Sequence, residues 1–213
     1  GLLGVFSRQT KYRIGGSATT GFVAQEALSR RGTPAPFSVF ATERGINFVA
    51  RDGVFATNLV APDEELSARI APIFFGEDVN GINRINWEAA GTISATSYKG
   101  RFYLAVPTGT ATTPDVLAVY STLTQHWYFY DHPVRALFVE EDVDNLVAGF
   151  TDGFVYILED GTTDAGTEIA LDVETKDYSG GVPNLRKLLL WLRVDADVPT
   201  GTLTVEMAVD GVT

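Results

Sequence analysis

His126 and His132 flank the run Trp127-Tyr128-Phe129-Tyr130, and imidazoles beside aromatic rings could serve as metal ligands or as a general base. Both would have to share one face. In an alternating strand, positions 126 and 132 do so only if no turn intervenes, and Asp131-His132-Pro133 reads as a turn. The histidines are therefore expected at the border of a strand and at the corner after it. The four aromatic residues could form a platform for sugar rings or cations. The preferred reading is a strand with one face in a core and the other packed on a neighbouring sheet. Trp87 and Trp191 carry no more specific message.

Carboxylates cluster at Glu140-Glu141-Asp142-Val143-Asp144, at Asp160 with Asp164 and Glu168, and at Asp195 with Asp197. None has the staggered oxygen ligands and the Gly turn of a twelve-residue calcium loop, so solvated hairpin tips are expected. Asp164-Ala165-Gly166-Thr167 is similar to part of the Asp-box of some propellers but lacks its upstream Ser and downstream Trp. A carboxylate pair for glycoside hydrolysis is defined by its separation, which sequence does not give. Gly15-Gly16-Ser17 lacks the Lys and the strand-loop-helix setting of a phosphate loop, and no Gly-x-Ser-x-Gly elbow occurs. No catalytic, cofactor-binding or metal-ligating residue is assigned, and the expectation is a protein that is not an enzyme and needs no cofactor.

The 213 residues are 45% hydrophobic and 20% charged, a composition that folds and buries a core. A net charge of −11 opposes binding to a polyanion, although an acidic wall facing DNA would keep the polymer from sticking. Without cysteine there is no disulfide, thiolate metal site or thiol nucleophile. The first sixteen residues have neither the basic n-region nor the apolar length of a signal peptide. No run approaches the roughly 18 apolar residues of a spanning helix, so no membrane insertion is expected. The chain starts at Gly1 without Met and stops at Asp210-Gly211-Val212-Thr213 after an apparent strand, as if both ends were cut from something longer.

What must position these residues is a set of short strands. Period-two alternation with β-branched and aromatic residues marks runs at 2–6, 11–14, 38–41, 46–50, 54–57, 93–97, 102–106, 116–120, 127–130, 134–139, 146–150 and 154–158. The chain is expected to be all-β. Turns are signalled at Arg51-Asp52-Gly53, Lys99-Gly100 and Thr151-Asp152-Gly153, where Gly supplies positive φ. INFVARDGVFATN (46–58) and LVAGFTDGFVYILE (146–159) read as near copies of one hairpin, their Asp-Gly pairs 100 positions apart. Units begin near 4, 45, 100 and 146, with steps of 41, 55 and 46 residues. Such repeats of several antiparallel strands predict a partial β-propeller of about four blade units over 1–160.

Two stretches depart from this. A partly helical insertion is expected over 61–91: Asp63, Glu64 and Glu65 would occupy a helical first turn, Leu66, Ile70, Ile73 and Phe74 follow at helical spacing, and Pro72 should bend or end the helix. After Asp160, a polar connector at 161–166 leads into longer runs over 167–213, among them KLLLWLRV, apolar on both alternating faces. These predict a β-sandwich-like segment.

The order of these motifs resembles that of tailed-phage virion proteins that carry a β-propeller, the tail nozzle (tail tubular protein B-like) and head-to-tail stabilisation proteins. The stretches are LLGVFSRQTKYRIGG (2–16), FATERGINFVARDGVF (40–55), YKGRFYLAVPTGT (98–110), DVLAVYSTLTQHWYFYD (115–131), LVAGFTDGFVYILEDGTTDAGTEI (146–169) and the tail KLLLWLRVDA…GTLTVEMAVDG (187–211). The resemblance covers nearly the whole chain. It implies a structural, non-catalytic component of a phage tail or head-tail connector in the virion. Its partners would be copies of itself in a ring and other tail or connector proteins, with DNA passing through but not specifically bound. Four units are fewer than a closed propeller needs, so the chain would be a fragment or close with partner material. The 61–91 insertion and the acidic tip at 140–145 are the expected contacts. The alternative is a carbohydrate-binding or carbohydrate-cleaving propeller acting in receptor recognition, with Trp127, Tyr128 and Tyr130 as its platform. A cellular propeller scaffold that binds peptides is a third reading.

Overall fold

Alternation with a period of two gives a strand two faces, and a run that is apolar at nearly every position needs both of them covered. In the computed structural model, stacking of small sheets meets that need. The structure describes residues 2–42, 45–79, 81–161, 163–164, 167–168 and 204–205. They belong to two compact units, 1–162 and 163–213.

The first unit is built from four antiparallel sheets, each of strands consecutive in the chain, and none closes into a barrel. The first sheet holds β1 (Leu2–Phe6), β2 (Lys11–Ser17) and β3 (Gly21–Glu26). The second holds β4 (Phe40–Thr42), β5 (Gly45–Ala50), β6 (Gly53–Thr57) and β7 (Glu64–Glu65). In the third are β8 (Ser94–Tyr98), β9 (Arg101–Val106), β10 (Val116–Ser121) and β11 (His126–Tyr130). The fourth is β12 (Val134–Glu140), β13 (Asn145–Phe150) and β14 (Val155–Leu158). In the second unit, β15 (Thr163–Asp164) pairs with β16 (Thr167–Glu168). The rest of the sandwich expected over 167–213 lies outside the described residues, apart from 204–205.

Within the first unit the two faces of the inner strands feed two different cores. Phe102, Leu104 and Val106 of β9 join Val49, Val54, Ala118 and Tyr120 between the second and third sheets. The intervening Tyr103 and Ala105 join Leu117, Val119, Val134, Leu146 and Ala148 between the third and fourth. On the other side of the second sheet, Phe48, Ala50 and Phe55 pack with Phe6 of β1. The first strands β4, β8 and β12 are neighbours in space, β12 also reaching β9. Sheet one is seated differently. Its Phe6 ring is 5.1 Å from Phe48, and a Cβ on Gly4 would lie 2.9 Å from Leu59 Cδ1 and 3.1 Å from Ile46 Cδ1, so β1 runs over β5, the second strand of its sheet.

The two Asp-Gly hairpins are not identical. Ala50 pairs with Gly53 across Arg51-Asp52, whereas the later turn takes one more residue, Phe150 N donating to Phe154 O at 2.9 Å across Thr151–Gly153. Gly53 has φ 152°, and a Cβ there would strike Ser67 Oγ, which accepts a 2.9 Å bond from Val54 N.

The helical reading of 61–75 changes. Asp63 turns inward, Glu64–Glu65 forms β7, and 3-10 turns follow over Ala68–Phe74 and Trp87–Thr92. Pro72 lacks the N–H an α-helix would use, and the backbone kinks at Ile70. Ile70, Ile73, Phe74, Ile85 and Ala90 are buried in the core between sheets two and three, so much of 61–91 is filling rather than projecting surface.

One ion pair ties the first sheet to the second. Lys11 Nζ lies 2.7 Å from Asp63 Oδ2, both side chains fully buried, and donates to Ser29 O at 3.0 Å and Arg31 O at 3.2 Å. It also sits 4.9 Å from the centre of the Phe48 ring. Lys11→Met should leave the buried Asp63 carboxylate with only the longer 3.5 Å contact to Arg31 Nη1 and cost about 3 kcal/mol, read as a lower guanidinium unfolding midpoint. The double variant Lys11→Met/Asp63→Leu should recover most of that loss.

Candidate interaction surfaces

The sequence singled out the strand 126–130, the acidic tip at 140–145 and the segment 61–91. On β11 the alternation separates two roles. Trp127 and Phe129 pack against the core between sheets two and three. The Trp127 indole lies 5.2 Å from Tyr120, and its Nε1–H donates to Leu66 O at 2.9 Å. Tyr128 and Tyr130 point to the other face, where they are 48% and 40% exposed. Of the three proposed platform residues, Trp127 is thus committed to packing and the two tyrosines offer ring surface.

The histidines do not converge on a common site. His126 Nδ1 is 2.7 Å from Thr124 O, and His132 Nδ1 is 3.1 Å from Asp131 O. His132 stacks on Tyr130 at 5.8 Å and meets Phe150 at 5.9 Å, while Tyr156 lies 4.8 Å from Phe150. These rings line the outer rim where sheets three and four meet. Among the described residues no group of three or more His, Asp and Glu is placed to hold a metal. Among them, too, no helix is long and apolar enough to cross a membrane.

The acidic tip is the turn between β12 and β13, and its root is held from sheet three. Tyr98 OH donates to Asp144 O at 2.6 Å, and Lys99 Nζ lies 3.1 Å from Asp144 Oδ2. Hydrogen bonding to Tyr98 and then to Asp144 holds the Lys99 ammonium above its usual range. Asp144 has φ 53°, a left-handed position that Asp tolerates. Glu140, Glu141 and Asp142 are left facing water. A second tie runs from Arg101 Nη1 to Glu159 Oε2 at 2.6 Å.

Opposite in sign is an open cleft lined by Arg8, Arg30, Arg31 and Arg51 with Asp52. Sequence reading missed it because its arginines come from three separate turns. Arg31 is already engaged: Nη2 is 2.8 Å from Asp52 Oδ2, and the guanidinium lies 3.9 Å over the Phe55 ring. The chain matches no family model and no curated protein sequence.

Burial raises the phenols of Tyr103, Tyr120 and Tyr130 above the ordinary value of 10.0. The unfolded chain therefore sheds these protons first, so stability holds below about pH 10 and falls as pH rises beyond it. Tyr103→Phe should make that alkaline decline shallower, measured as unfolding midpoints from about pH 9 to 11.5; an unchanged slope would remove Tyr103 as a cause. Trp127→Phe should cost about 1 kcal/mol through the lost bond to Leu66, seen as a lower thermal midpoint.

Proposed function

We propose that this chain is a non-catalytic structural component of a phage tail or head-tail connector, forming part of an oligomeric ring around the DNA path. Its stacked sheets would be an arc of a β-propeller. The observation that supports the propeller most directly is that β4, β8 and β12, each the first strand of its sheet, stand side by side while their sheets pack face to face in chain order. Radial packing of blades places first strands around an axis in that way. The order of motifs from 2 to 211 supplies the tail or connector reading. The acidic tip at 140–145 and the exposed parts of 61–91 suit contacts made by surface complementarity, and a protomer of net charge −11 suits DNA that slides past without being held.

The carbohydrate-binding alternative keeps one observation in its favour, the exposed rings of Tyr128 and Tyr130 beside His132. The two readings separate experimentally. Mass spectrometry and cryo-EM of purified particles should find the chain as ring-shaped density in the tail or connector, and its absence from particles would sink the structural role. A glycan array should show no binding. Binding that disappears in Tyr128→Ala/Tyr130→Ala would favour the alternative.

A further inference from the structure

The arginine cleft has no part in the tail reading, and it is more ordered than a scatter of surface charge. Three turns build it: 7–10 between β1 and β2, 29–32 after β3, and Arg51-Asp52 between β5 and β6. The first two are locked together. Thr33 N donates to Ser7 O at 2.8 Å, and a Cβ on Gly32 would strike Ser7 O and the Gln9 and Thr10 amides, so the turns touch only because residue 32 is glycine. The space that they and Arg51 enclose measures about 470 Å³.

Four guanidiniums line this space against one carboxylate, and that carboxylate is already taken. Asp52 accepts from Arg31 Nε at 2.9 Å and 3.1 Å and meets its Nη2 at 2.8 Å. Arg30 has only a 3.4 Å contact with Glu26, its own side chain 81% exposed. Among the described residues Arg8 and Arg51 pair with no carboxylate, and Arg51 instead lies 5.8 Å over the Trp87 ring. A chain of net charge −11 thus gathers unneutralised cations in one recess. Their mutual repulsion is relieved when an anion enters.

The arrangement also selects the anion. One guanidinium fork satisfies a carboxylate, as Arg31 does for Asp52. Cations presented from three turns suit a group with several oxygens and more than one charge, which is the chemistry of phosphate. No aromatic side chain lines the cleft to stack on a base, and the overall negative charge opposes a long polyanion. We propose that the cleft binds a small oxyanion of the diphosphate or polyphosphate class, held by Arg8, Arg30 and Arg51 against a wall fixed by Arg31 and Asp52. This site stands whether or not the chain belongs to a tail.

Titration of inorganic pyrophosphate into the full chain at low salt, followed by calorimetry and thermal unfolding, tests the proposal. Pyrophosphate should bind at a single site, raise the unfolding midpoint and bind more weakly as sodium chloride is added. Arg8→Gln and Arg51→Gln should each weaken binding about tenfold, the loss of one charge-assisted contact. Together they should abolish it with an unchanged circular dichroism spectrum, while Arg135→Gln on β12 should leave it intact. The absence of both heat and a midpoint shift, or binding that survives the double variant, would overturn the site. Oligothymidylate and polyglutamate are compared in the same titration and should bind more weakly than pyrophosphate. Tighter binding of either, lost in the double variant, would overturn the small-anion assignment in favour of a nucleic-acid or an acidic-protein contact respectively.

Discussion

Covering both faces of a small sheet is the constraint on which the first unit depends. A three- or four-stranded meander of Val, Leu, Phe and Tyr cannot hide its apolar side chains by itself, and a single core would satisfy only alternate positions. β9 illustrates this: Phe102 and Leu104 go to one core, Tyr103 and Ala105 to the other, and all four are essentially inaccessible to water. The sheets therefore behave as slices whose stability comes from their neighbours, the logic of repeat architectures. Loops between them are recruited to the same end, as Ile70, Ile73 and Phe74 show by filling the space left between sheets two and three.

Apolar stacking sets no register by itself, and polar groups supply it at each junction. Lys11 and Asp63 join the first sheet to the second inside the core, a geometry that only one seating satisfies. Ser38 Oγ accepts a 3.1 Å bond from Val49 N and donates at 2.7 Å to Ala35 O, closing the entry to the second sheet. The Trp127 indole bonds the carbonyl of Leu66, and the Tyr98 hydroxyl bonds that of Asp144. The Lys11, Trp127 and Tyr98 bonds each run from one sheet to a loop or turn of another, whereas Ser38 ties the turn before β4 to β5 of its own sheet. A slipped arrangement would leave buried donors unsatisfied, which costs more than the bonds themselves contribute.

Strands that are buried on at least one side were legible in the sequence, because alternation and β-branched residues report burial. The runs at 46–50, 102–106 and 116–120 correspond closely to β5, β9 and β10. β3 escaped notice. All six residues of GFVAQE are exposed, so no core imposed a pattern on them. β7 is two glutamates bonded to the edge of β6, too short for any periodicity and suggestive of a helix start. The spacing of Leu66, Ile70, Ile73 and Phe74 correctly marked residues that share a core but not the 3-10 turns that bring them there. Spacing reports which side chains must be hidden; Pro72 and tertiary packing decided the backbone. Of the surfaces, the acidic tip was readable as a run, whereas the arginine cleft exists only after three turns meet.

Every strand pairing in the first unit joins strands adjacent along the chain, with connections as short as the two residues of Arg51-Asp52. Closing such short loops costs little entropy, and topologies dominated by local pairing reach the native state quickly. A chain leaving the ribosome could complete one meander before the next is made, each finished surface serving as a template for its successor. Time during synthesis and position along the stack would then run in the same direction.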